Sequence, residues 1–135
     1  MNKWQVYKRG ITAIFTSGNN QINKPEVNKM DIETRMIELI VQSGEARSYS
    51  MEALRASSKG EWDRVNQLSK MAIIAIRKAQ AIQTEFIGGN KEKINLDLII
   101  VHAQDHLMNA TLCRELAEEI IALRKELHAA KINNS

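Results

Sequence analysis

Beyond residue 30, apolar residues recur at intervals of three and four, the period of a helix with one buried side. Met36, Ile37, Ile40, Val41, Ser48, Met51 and Leu54 define the first such stripe, which predicts a helix from Asp31 to about Ser57. Asp31 is a suitable N-cap, and Gly44 and Ser48 on the stripe would permit close approach of a neighbouring helix. Ser57-Ser58-Lys59-Gly60 reads as the stop, with Gly60 suited to the left-handed C′ position. A second helix is predicted from about Glu61 to Ile87, with Val65, Leu68, Ala72, Ala75, Ala79, Ile82 and Phe86 facing inward and Gly88-Gly89-Asn90 ending it. Lys91-Glu92-Lys93 reads as a polar loop leading to Asn95, an N-cap for a third helix that reaches about Ala130. Three long helices joined by short turns predict an all-α, up-down-up three-helix bundle over residues 31–135. Residues 1–30, with Ser17-Gly18-Asn19-Asn20 and Asn23-Lys24-Pro25, sustain no periodicity and read as a loosely ordered extension.

The third helix carries more than one stripe. Ile99, His102, His106, Asn109, Cys113, Leu116, Ile120, Leu123 and Leu127 alternate spacings of three and four, a heptad seam. Beside it run Leu98, Val101, Asp105, Met108 and Leu112. One stripe suffices for a helix lying against its own bundle. The second implies that this helix also packs against another subunit.

Composition changes little in this picture. The 135 residues are 44% hydrophobic, 26% charged and only 4% aromatic, with a single proline, a mixture that favours helices. The formal charge of +3 is concentrated in the tail, where Lys3, Lys8, Arg9, Lys24 and Lys29 face Glu26 alone. The body is nearly neutral and has no nucleic-acid signature. Cys113 stands alone, which excludes an intramolecular disulfide and suits a reducing cytoplasm. No apolar run approaches the roughly 20 residues that span a bilayer, and Ile11-Thr12-Ala13-Ile14-Phe15 lacks the length and cleavage site of a signal peptide. His128 reads as a surface residue near a helix C-terminus, Cys113 as core, and Trp62 as packing against the bundle end.

The chemistry is in Ile99-Ile100-Val101-His102-Ala103-Gln104-Asp105-His106-Leu107-Met108. His102, His106 and Asn109 interrupt the seam, and Asp105 interrupts the neighbouring stripe. Burying such groups without partners costs about 1–3 kcal/mol each, so they must be hydrogen-bonded, solvated in a cleft, or functional. Several readings stay open at this point. A polar layer can set register in a non-catalytic trimeric scaffold. His102 and His106, at i and i+4, could share a zinc ion, but Ala103 stands where a HExxH protease has its glutamate. Asp105 is a hard oxygen ligand that could share a Mg²⁺-like cation if three copies met on an axis. A neutral imidazole can attack a phosphoryl group, with Gln104 or the second imidazole donating to its oxygens.

Val101-His102-Ala103-Gln104-Asp105-His106-Leu107-Met108 resembles the signature of the lactose/cellobiose class of enzyme IIA in the bacterial phosphoenolpyruvate:sugar phosphotransferase system. Ser43-Gly44-Glu45-Ala46-Arg47-Ser48, Lys59-Gly60-Glu61-Trp62, Ala79-Gln80-Ala81-Ile82-Gln83-Thr84 and Arg114-Glu115-Leu116 agree with it, so the resemblance covers about residues 32–128. It implies a homotrimer with the third helices around the axis. It also implies that His102 accepts a phosphoryl group from the carrier HPr and passes it to a cysteine of enzyme IIB, which serves the membrane component IIC. Gln104 and His106 match residues lining the family's phosphohistidine site. Asp105 matches its metal ligand, three copies holding one divalent ion, usually Mg²⁺. Val101 and Ala103 look more like the cellobiose/diacetylchitobiose branch than the lactose branch. The extension before residue 31 is longer and more basic than family members usually carry.

Overall fold

The computed structural model describes residues 29–88 and 98–135, all within or beside three helices. These are α1 (Lys29–Ser58), α2 (Trp62–Gly88) and α3 (Leu98–Asn133). The first begins two residues before the expected cap, leaving Asp31 inside the first turn, where a carboxylate still meets the positive end of the helix dipole. The last runs three residues past Ala130. The Lys91-Glu92-Lys93 loop, the Asn95 cap and residues 1–28 lie outside the described residues.

The turn between α1 and α2 follows from one glycine. Gly60 adopts φ 73°, a conformation that costs a side-chain-bearing residue about 1 kcal/mol or more. Its N–H donates to the Ser57 carbonyl at 3.2 Å, and the Glu61 N–H donates to the Ala56 carbonyl at 3.2 Å. This pair of bonds is a Schellman closure, and it satisfies carbonyls that the end of α1 would otherwise leave orphaned. The chain then reverses directly into α2.

Helix directions are fixed by contacts at their ends. Arg35, early in α1, bonds both Glu85, late in α2, and its own neighbour Glu38, so α1 and α2 are antiparallel. Hydrogen bonding to Glu85 raises the Arg35 guanidinium further above its ordinary value. Arg124, late in α3, donates to the Leu54 carbonyl at 2.6 Å and to Ser57 Oγ at 2.8 Å, so α3 runs parallel to α1. The topology is up-down-up. Helix α1 is the centrepiece: it packs along both α2 and α3, which touch each other only sparingly.

The core is made of small residues. On α1 the buried face is Met36, Leu39, Ser43, Ala46, Ser50, Ala53 and Ser57; of the expected stripe, Met36 belongs to it and Ile40 and Leu54 pack partly buried against it. Ile37 and Val41 point outward and are about half exposed. The three serines stand seven residues apart, and each hydroxyl donates back to its own helix, to the carbonyls of Leu39, Ala46 and Leu54. A serine satisfied in this way can be buried at little cost, and its small volume lets helix backbones approach closely. The α2 stripe is as predicted: Val65, Ala72, Ala75, Ala79 and Ile82 are buried, with Ile76 added and Leu68 and Phe86 partly covered. Trp62 does close the bundle end, meeting the exposed His128 edge-on at 5.6 Å with Lys125 Nζ 5.9 Å from its ring centre.

For α3 the expectation needs a larger correction. Its bundle face is Ala103, Leu107, Ala110, Ala117 and Ile121, a third row that belongs to neither stripe singled out in the sequence. At roughly 100° per residue, the outward row Val101, Asp105, Met108, Leu112, Leu116 and Leu123 lies on the opposite side of the helix. These apolar residues are 42–56% exposed. Cys113 is half-buried between the two faces.

Candidate functional site

Between α1 and α3, on the flank of α3 between its two apolar faces, lies an open groove of about 600 Å³. Helix α3 contributes His102, Asp105, His106 and Asn109 to its lining, and α1 contributes Ser43, Gly44, Arg47, Ser48, Met51, Glu52 and Arg55. The polar insertion is therefore solvated in a cleft, one of the outcomes the sequence required of it. His102, Asp105 and Asn109 are exposed and His106 is half-buried.

The histidines are one helical turn apart, so both rings leave the same side of α3. Their Nε2 atoms are 3.2 Å apart, and the rings meet edge-on, with centroids 4.6 Å apart and planes at 87°. One Nε2 must carry the shared proton and the other must present a lone pair. Which of the two carries it is set by the ring tautomers, and His102 is the more accessible of the pair. Four residues after Leu98, His102 is also close enough to the start of α3 to feel the dipole's positive end.

Gln104 is not in the groove. It lies on the other side of α3, where its Oε1 accepts a hydrogen bond from Gln83 Nε2 of α2 at 2.6 Å. Its side chain braces two helices that otherwise touch little. The structure brings together His102, His106, Asp105 and Asn109, but not Gln104.

Asp105 has no hydrogen-bond or ion-pair partner among the described residues and emerges between the exposed Val101 and Met108. The described residues contain no group of three or more His, Cys, Asp or Glu side chains placed to hold a metal within one chain. Among the described residues of one chain, the two histidines thus lack a third protein ligand for zinc. A lone outward carboxylate on an apolar face fits a hard cation only if copies of the chain converge on it.

The α1 wall of the groove was missed as a site. Gly44 does not mediate helix packing within the chain: a Cβ there would meet nothing within 4 Å. Ser48, too, faces solvent rather than a neighbouring helix. The available signal was the spacing of Gly44, Arg47, Ser48, Met51 and Arg55, which defines one face beside the buried serines.

Residues 34–125 match the sequence profile of the lactose/cellobiose-specific IIA subunit of the PTS system. The chain belongs to this family. Its relatives include the N,N'-diacetylchitobiose-specific EIIA component of Escherichia coli K12, 36% identical over 101 residues that span 73% of this chain and 87% of that protein. Among solved structures, the cellobiose-specific enzyme IIA of Bacillus anthracis superposes with a TM-score of 0.68 at 41% identity, covering 71% of this chain and 90% of that one. The IIA(chitobiose) of Escherichia coli, solved in complex with HPr, superposes at 0.64 with 35% identity over 71% and 95% of the two chains. As an EIIA component, the chain is a phosphotransfer protein of sugar uptake at the level of its family. No helix among the described residues of this IIA is long and apolar enough to cross a membrane.

Proposed function

We propose that this IIA is a cytoplasmic phosphoryl carrier in the uptake of a β-linked disaccharide of the cellobiose or diacetylchitobiose type, with His102 as acceptor. The observation that carries the reading is the histidine pair: an accessible imidazole whose Nε2 faces a second Nε2 at 3.2 Å in an open groove. In the proposed sequence, the His102 Nε2 lone pair attacks the phosphorus carried by a histidine of HPr. The N–P bond to the HPr imidazole breaks, and its electron pair leaves with that ring. A cysteine thiolate of IIB then attacks the same phosphorus. The S–P bond forms, and the pair of the His102 N–P bond returns to the imidazole.

His106 holds its Nε2–H towards His102 before transfer and turns the same donor to a phosphoryl oxygen afterwards. Gln104 supports from the far side of α3, holding α2 and α3 in place through Gln83. Positioning and charge account for most of such transfers, which suits a site with two rings and few other groups.

The working unit is proposed to be a homotrimer whose α3 helices pack through the outward row of Val101, Met108, Leu112, Leu116 and Leu123. That row supports the assembly because exposed large apolar residues in a line are costly on a monomer. Asp105 from each copy would then hold one divalent cation, Mg²⁺ by its oxygen donors. The ion would offset the repulsion of three carboxylates.

Incubation with phosphoenolpyruvate, enzyme I and HPr tests the reading. It expects one acid-labile phosphoryl group per chain, absent from His102→Gln. Acceptance by His102→Gln but not by His106→Gln would reverse the two roles.

A further inference from the structure

We infer that Arg47, on the α1 wall of the groove, forms an ion pair with Glu115 of the next copy in the trimer and closes one end of the groove between subunits. This rests on the assembly reading above and extends it from the apolar row to the groove. Arg47 is exposed and has no carboxylate or hydrogen-bond acceptor among the described residues, whereas Arg35, Arg64 and Arg114 are each engaged by a glutamate. Glu115, half-buried on α3, is equally without a cation in its own chain among those residues. The two stand at one height. Arg124 bonds Leu54 and Ser57, so residues level with one another on the parallel helices differ by 67–70 in number. Ile121 clusters with Ala53 and Ala56 in agreement. Arg47 is therefore level with residues 114–117 of α3.

Symmetry brings the pair together. At roughly 100° per residue, His102, His106 and Asn109 lie on one flank of the outward row, and Glu115 and Glu126 lie on the other, with Glu119 at its edge. A closed ring of three joins unlike flanks, so the histidine flank of one copy meets the glutamate flank of the next. With α3 parallel to the axis, rotation leaves heights unchanged, and Glu115 of the next copy arrives level with Arg47. Helix spacings of about 8–10 Å put that α3 roughly 15 Å from α1, a gap that extended Arg and Glu side chains span between them. The signs match along the wall as well: α1 presents Arg47 and Arg55 with Glu52, and the arriving flank carries Glu115, Glu119 and Glu126. His102 lies about 20 Å further along the axis at 1.5 Å per residue. The bridge thus closes the Arg47 end of the groove and leaves the histidine end open to the carriers.

The experiment is sedimentation equilibrium of the full chain at low salt, in wild type, Arg47→Glu, Glu115→Arg, the double charge swap and Arg77→Glu. Arg77 is an exposed α2 arginine outside the groove and serves as the control. One exposed pair contributes little, but a trimer holds three, and reversal turns each attraction into repulsion. Each single reversal should therefore raise the trimer dissociation constant by roughly tenfold or more. The double swap should recover most of that loss, and Arg77→Glu should match wild type. Arg47→Gln and Glu115→Gln, which add no repulsion, serve if either reversal fails to fold; both should weaken the trimer and flatten its dependence on salt. If the single variants assemble like wild type, or if the double swap is weaker than either, the inference is overturned while the trimer stands. If wild type is a monomer at micromolar concentration, the assembly reading and the inference fall together, and phosphate acceptance by His102 is untouched.

Discussion

Replacing Gly44 by alanine tests whether the groove is open in the working protein. Gly44 lies inside α1, where glycine costs about 0.8–1 kcal/mol relative to alanine because more backbone freedom is lost on folding. Added methyl groups usually repay that only if they fit, and here the new Cβ meets no atom within 4 Å. No steric debit offsets the gain, so Gly44→Ala should stabilise the fold by about 0.5–1 kcal/mol. For a domain of this size that corresponds to about 2–6 °C in melting temperature. The assay is urea unfolding at fixed protein concentration, with the slope m compared to confirm an unchanged transition. Sedimentation of the same samples checks the assembly state. A loss of stability would refute the reasoning, because it would mean that something sits directly over Gly44.

Four further outcomes follow from the geometry. His106→Gln should still be phosphorylated on His102 but more slowly, since an amide can replace the ring's N–H only in part; phosphate incorporation against time reads this. Arg124→Met removes two charge-assisted bonds to the end of α1 and should cost about 1.5–3 kcal/mol in denaturant unfolding. Ser50→Leu puts an extra branched side chain between close-packed helices and should cost about 1–3 kcal/mol by overpacking, whereas Ser50→Ala should be nearly neutral because the hydroxyl only bonds back to Ala46. If Asp105 from three copies shares a cation, chelator should weaken wild-type assembly in sedimentation and leave Asp105→Leu unaffected.

Where sequence and structure agree, the physical reason is simple, and so it is where they part. Helix α2 has one apolar side, and its predicted stripe of Val65, Ala72, Ala75, Ala79 and Ile82 is the buried one. In α1 the larger residues Ile37 and Val41 suggested a core that the chain builds instead from Ser43, Ala46, Ser50 and Ala53. Hydropathy ranks serine as polar and cannot anticipate a hydroxyl satisfied within its own helix. In α3 two sets of apolar residues compete for the inward role, and the smaller ones win because Ala103, Ala110 and Ala117 let the helix lie close to α1. The histidine pair was legible from its i, i+4 spacing. The far-side placement of Gln104 follows from its two-residue offset from His102 on a helix, whereas only the fold reveals that Gln83 waits there. The α1 wall of the groove stayed hidden for the same reason: its neighbours come from a segment more than fifty residues away.

The central position of α1 also has a consequence for synthesis. Of the three described helices, the first to leave the ribosome is the one that both others need, and its tight glycine turn delivers the next within a few residues. The α1–α2 hairpin can therefore close through short-range contacts while the rest of the chain is still being made. When α3 emerges it meets a partner surface already formed, and the face that carries the histidines is added last.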